Sequence, residues 1–74
     1  MNIEEAKNEL EKQIILWDGV NGIGVINKDN IPVIEVAIDK NHPIVSEKIK
    51  GLIKKNQWKG YNVIIVATDG FNIH

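Results

Sequence analysis

Ile31-Pro-Val-Ile-Glu-Val-Ala-Ile-Asp39 is the stretch of this sequence that decides its fold. Side chains along a strand point alternately to opposite faces of a sheet. One face of this stretch carries three bulky aliphatic residues: Ile34, Val36 and Ile38. The other face is mixed and carries Val33, Glu35, Ala37 and Asp39. This alternation predicts a strand whose aliphatic face packs against a core.

The residues before this strand predict its partner. Ile23 and Val25 alternate with small or polar neighbours between Val20 and Ile26, which is typical of a strand. The connecting segment, Asn27–Asn30, consists of Asn, Lys and Asp, and most of these are turn-forming residues. The two strands are therefore predicted to form a hairpin.

A helix is predicted before the hairpin. Asn2 can cap it, and Glu4 and Glu5 suit the positive end of its dipole. Asp18-Gly19 is expected to end it, because glycine readily takes the left-handed conformation that closes a last turn. Its apolar residues recur at helical spacing: Ile3, Ala6, Leu10, Ile14 and Trp17.

A second helix and a last strand are predicted after the hairpin. Pro43 fits a first helical turn. The following apolar residues match one face of an amphipathic helix: Val45, Ile49, Leu52 and Ile53. Asn56–Gly60 is expected to be the exit from this helix, and Tyr61–Thr68 the third strand.

Together these elements predict one α+β domain over residues 1–74, in the order α-β-β-α-β. We expect a two-layer sandwich in which two helices cover one face of a three-stranded sheet. The third strand is expected to run parallel to the second. It lies either next to the second strand or separated from it by the first strand, as in ferredoxin-like folds.

Composition narrows the function classes. The chain has no cysteine, which excludes disulfides and Cys-ligated metal sites and fits a reducing, cytoplasmic location. Nine basic and ten acidic residues give a net charge of −1, so no strong field steers polyanions to the molecule. The longest apolar run, Val63–Ala67, is far below the ~20 residues of a membrane span. No cofactor is implied by any motif.

The predicted sheet leaves one face without a helix. If Ile34, Val36, Ile38, Val63 and Ile65 meet the helices, the opposite face carries Val33, Ala37, Ile64 and Val66. Contiguous apolar surface of this kind marks interaction sites, although single exposed aliphatic residues are ordinary. This face predicts a non-catalytic interaction, assembly or regulatory domain that binds itself or another protein, and a sheet edge is a further candidate.

A basic cluster near the second helix supports a different hypothesis, weak binding of single-stranded nucleic acid. Lysines combined with an aromatic ring can contact phosphates and stack on a base. The residues are Lys50, Lys54, Lys55, Trp58 and Lys59. The absence of arginine argues against base readout, and a solvated helix face is the simpler interpretation.

A small enzyme is the third hypothesis, based on His42 with Asp39 near Ser46. Catalytic triads are defined by geometry, and the sequence contains no oxyanion loop, so an exposed loop histidine is the simpler interpretation. Gly22 and Gly24 resemble the start of a dinucleotide-binding motif, but the third glycine of that motif is missing and no helix is predicted directly after them. Asp39 with Asp69, and His74, are weak candidates for cation binding.

Three segments resemble the small N-terminal module that precedes the protease domain in some bacterial trypsin-like serine peptidases. They are Val20-Asn-Gly-Ile-Gly-Val25, Ile34-Glu-Val-Ala-Ile-Asp-Lys40 and Gly60-Tyr-Asn-Val-Ile-Ile-Val66. The chain contains no protease domain onto which a catalytic triad would map. The resemblance therefore implies an accessory or regulatory binding module.

Overall fold

A computed structural model describes residues 1–68 of the chain. It contains two helices and four strands. These are α1 (Ile3–Ile14), β1 (Val20–Lys28), β2 (Ile31–Asp39), α2 (Ile44–Leu52), β3 (Gln57–Trp58) and β4 (Tyr61–Thr68). The protein is a small α+β domain, as the sequence pattern predicts.

The predicted cap of α1 is confirmed, but the predicted end is not. Asn2 accepts a hydrogen bond from the Glu5 backbone N–H, and the Glu5 carboxylate accepts one from the Asn2 N–H, which forms a capping box. The helix ends at Ile14, before the predicted stop at Asp18-Gly19. Trp17 lies beyond the helix yet still packs against the core.

The predicted hairpin is confirmed. β1 and β2 pair antiparallel from Lys28↔Ile31 onward, and the two-residue loop Asp29-Asn30 has positive φ at both positions. Type I′ turns require this conformation, and their twist matches that of paired strands. Asparagine and aspartate tolerate it better than most residues.

The sheet order is β1-β2-β4-β3. β4 lies directly beside β2 and runs parallel to it, with Ile34 paired to Val63 and Asp39 to Thr68. Of the two orders left open by the sequence, the structure therefore has the one in which the parallel strands are neighbours.

The prediction of a three-stranded sheet is wrong, because the predicted helix exit contains a fourth strand. Gln57 and Trp58 pair antiparallel with Asn62 and Tyr61. Lys59 and Gly60 both have positive φ, so they form a second two-residue hairpin turn. A strand of two residues is too short to produce an alternation that sequence analysis would detect.

Both helices pack on the same face of the sheet. The core joins α1 and α2 to one face of β2 and to β4. Its largest fully buried side chains are Leu10, Ile14, Ile34, Ile49, Val36 and Val45. Neither helix is long and apolar enough to cross a membrane.

Candidate interaction surface

The sheet face opposite the helices is the candidate interaction surface, and it is called the outer face below. Strand register assigns its residues. One row across the sheet is Gly24–Glu35–Ile64, and the next is Gly22–Ala37–Val66. Ile26 and Val33 pair with each other at one end. The four residues predicted for this face therefore lie on it together.

These four residues differ in exposure. Val66 is 36% exposed, and Ala37 and Ile64 are half-buried, whereas Val33 is only 4% exposed. Val33 is thus more buried than expected for a face without a helix. It lies in β2, an inner strand of the sheet, where it pairs with Ile26 of β1.

Two glycines make part of the outer face flat. A Cβ atom added at Gly22 or at Gly24 would meet no other atom within 4 Å. The space above them is therefore open to another molecular surface, and close backbone approach is what glycine in a strand permits. Gly22 pairs with Ala37 and Gly24 with Glu35, which places both glycines on the outer face. The sequence alone does not give this register.

Few charged groups interrupt the outer face. By strand alternation, Glu35 lies in its centre, Lys28 near the hairpin turn and Asp39 at the opposite end of β2. Asp39 is already engaged, because its carboxylate accepts the Asn41 backbone N–H. The centre of the face is therefore aliphatic and glycine-lined, with one half-buried carboxylate.

The structure brings together two members of the proposed small catalytic site. His42 Nδ1 lies 3.4 Å from Asp39 Oδ2 in the turn after β2, and the imidazole is half exposed. The Ser46 hydroxyl donates instead to the Pro43 carbonyl oxygen at 2.9 Å. The arrangement pairs an imidazole with a carboxylate, but the hydroxyl is directed elsewhere.

The basic cluster is distributed over several elements. Lys50 lies on α2, Lys54 and Lys55 in the connection after it, and Lys59 in the turn between β3 and β4. Trp58 is half-buried, packs against the core and donates from Nε1 to the Ala6 carbonyl oxygen at 2.9 Å. The Lys59 ammonium lies over the Trp58 ring, 5.3 Å from the ring centroid. The indole is therefore already engaged by core packing, by a hydrogen bond in the plane of the ring and by an ammonium over the ring.

Within residues 1–68, no three His, Asp or Glu side chains are close enough to hold a metal ion. Asp69 and His74 lie outside the described residues.

Comparison with protein-family models, curated proteins and solved structures finds no match to this chain.

Proposed function

We propose that this chain is a non-catalytic protein-interaction module that assembles through the outer face of its sheet. The observation that carries the proposal is the arrangement of that face: aliphatic residues around two glycines, with both helices on the other side. Apolar surface without a covering layer is typical of protein interfaces. An accessory or regulatory role, which the resemblance implies, is consistent with a module of this kind.

A second copy of the chain is the first occupant we propose. A domain of this size buries only about 60% of its unfolded surface, so covering an apolar face adds proportionally more stability than in a large domain. Two outer faces packed with their strands antiparallel place Lys28 of one copy toward Asp39 of the other. Sheets pack face to face at a separation of ~10 Å, and the glycine-lined strip gives room for the opposing aliphatic side chains.

Light scattering of the purified protein tests this proposal, with a dilution series at low and high salt. We expect a dimer or larger assembly that persists at high salt, because apolar contacts are not screened. Val66→Asp should shift the mass to that of a monomer while the circular dichroism spectrum stays folded. A wild-type monomer at every concentration would contradict self-assembly.

A matched variant separates interface effects from a general effect of added charge. Lys12→Asp changes an exposed residue in the last turn of α1, on the opposite side of the molecule. It should leave the assembled mass unchanged. If both variants dissociate the assembly, the outer face is not the specific interface.

A further inference from the structure

β4 has an edge that is only partly paired. β2 pairs with it on one side along Val63–Thr68, whereas β3 pairs on the other side only with Tyr61 and Asn62. Within residues 1–68, no strand pairs with the remainder of that second edge.

Two hydrogen bonds identify which backbone groups point to the open side. The Thr68 carbonyl oxygen accepts from the Lys40 N–H on the β2 side, while the Val63 N–H donates to the Asn56 oxygen on the β3 side. Backbone groups of successive residues in a strand alternate between its two edges. The N–H and C=O groups of Ile65 and Ala67 therefore point away from β2, like those of Val63.

A groove of about 750 Å³ lies along this edge. One wall of the groove is formed by α2 and its N-cap residue. The wall residues are Pro43, Ser46 and Lys50, whose spacing places them on one face of the helix. Val63, Ile65 and Ala67 of β4 also line it, and it continues onto the outer face at Lys28, Val33 and Ile64. The groove thus exposes the outward backbone groups of β4 next to a helix, which is an arrangement suited to an added strand.

Within residues 1–68, the charged residues that line the groove all have the same sign. They are Lys28, Lys40 and Lys50, and no Asp or Glu among the described residues lines it; Lys40 has a further contact of its own, so the available charge rests on Lys28 and Lys50. Lys50 lies at 4.0 Å from Glu47, and both side chains are more than half exposed, so this contact is weak. The lining therefore complements a segment that carries carboxylates.

The strand β4 itself carries none of the features that normally prevent strand addition, since Tyr61–Thr68 contains no proline and no lysine. Proteins protect exposed edges with proline, lysine or bulges. β4 has the sequence Tyr-Asn-Val-Ile-Ile-Val-Ala-Thr, and its pairing with β2 is continuous. From the free edge, the groove and its charge, we infer that the groove between α2 and β4 binds an extended acidic segment of a partner protein as an additional strand. The inference extends the proposed interaction role to a surface that adjoins the outer face at Val33 and Ile64, and strand addition at the β4 edge does not require self-assembly.

The test uses two synthetic peptides, (Val-Glu)4 and (Val-Lys)4, titrated into the ¹⁵N-labelled full chain. We expect saturable binding of (Val-Glu)4 with shifts at the Ile65 and Ala67 amides, at least tenfold tighter than (Val-Lys)4 and weaker at high salt. The inference would be overturned if the two peptides bind with equal affinity, or if the Ile65 and Ala67 amides show no chemical-shift change.

Two variants and one control test the contacts. Ala67→Pro removes an outward N–H at an edge position where proline is tolerated, and it should weaken (Val-Glu)4 at least tenfold. Ala67→Val keeps that N–H and adds similar bulk, and it should bind within about threefold of wild type. Lys50→Glu, which leaves the backbone unchanged, should weaken binding about three- to tenfold. Unchanged affinity in both Ala67→Pro and Lys50→Glu would contradict a strand bound in this groove.

Other occupants give different results. If a second copy fills the groove, the Ile65 and Ala67 amides become protected from exchange only as protein concentration rises. If residues 69–74 of the same chain fill it, protection is independent of concentration and (Val-Glu)4 does not bind. Either result overturns the inference. Val66→Asp should retain peptide binding, so failure of self-assembly and failure of the groove are distinguished.

Discussion

The Trp58 indole Nε1 donates a hydrogen bond to the Ala6 carbonyl oxygen at 2.9 Å, which links the short strand β3 to the N-terminal half of α1. The bond is partly buried, and the two residues are 52 positions apart in the chain. A residue that appears in the sequence to be a base-stacking candidate therefore has a structural role, linking the C-terminal hairpin to the first helix.

Trp58→Phe tests this role. Phenylalanine keeps an aromatic ring against the core but cannot donate the hydrogen bond, so we expect a loss of about 1–2 kcal/mol of unfolding free energy. Urea denaturation followed by circular dichroism measures it. Trp58→Ala should lose more than Trp58→Phe, because the half-buried ring is removed as well. A Trp58→Phe protein as stable as wild type would show that the bond contributes nothing.

Gly19 is the glycine whose replacement should be most harmful. Its φ is +95°, and a Cβ atom there would lie 2.7 Å from the Cβ of His42. Backbone strain and overpacking each contribute about 1–3 kcal/mol, so we expect Gly19→Ala to destabilise the protein by about 2–4 kcal/mol. Gly51→Ala is the control, since its Cβ would meet open space, its φ is not positive and it lies away from the outer face. Equal thermal midpoints for the two variants would contradict this account of Gly19.

Gly51 should give a change of the opposite sign. It lies in the last turn of α2, its φ is not in the left-handed region, and a Cβ atom would meet nothing within 4 Å. Gly51→Ala is expected to stabilise the protein by about 0.5–1 kcal/mol, because alanine loses less backbone entropy in a helix. Denaturation at one fixed protein concentration checks this, since self-association would otherwise change the apparent stability. A destabilised variant would mean that the helix needs glycine for a reason other than space.

The N-terminal capping box supplies a fourth prediction. Asn2→Ala removes the side-chain acceptor for the Glu5 N–H and should lower the unfolding free energy by about 0.5–2 kcal/mol. Asn8→Ala is the matched control, because Asn8 is exposed within α1 and alanine is the better helix former. If Asn8→Ala is as destabilising as Asn2→Ala, the effect does not come from the cap.

Periodicity was sufficient to predict the elements with long patterns. The two helices and the β1–β2 hairpin follow from apolar spacing and the turn-forming segment Asn27–Asn30, and the parallel direction of β4 relative to β2 follows from a right-handed crossover. The adjacency of β4 and β2 did not follow from the sequence. Trp17 continues the helical spacing of apolar residues, so the sequence predicted too long a helix. In the structure α1 ends at Ile14, and a turn brings Trp17 to the core. Spacing reports which side chains face the core, but it does not report whether the backbone between them is helical.

The parts that sequence did not predict depend on contacts between distant residues. β3 exists because Gln57 and Trp58 pair with β4 and because Trp58 reaches Ala6, and neither contact leaves a local pattern. The open edge at Ile65 and Ala67 depends on the order of strands, which the local sequence of β4 does not encode. The membership of Gly22 and Gly24 in the outer face likewise required the register.

The most direct test of the central claim, that the outer face is covered by a second copy, is the rate of thiol labelling at Val66. The chain has no cysteine, so Val66→Cys gives one reactive site on the outer face, and Lys12→Cys gives a matched site on α1. We predict that the maleimide reaction at Val66→Cys slows at least tenfold as the protein concentration rises through the assembly transition, while the reaction at Lys12→Cys stays constant. Equal and constant rates at both sites, in a protein that light scattering finds assembled, would contradict the claim.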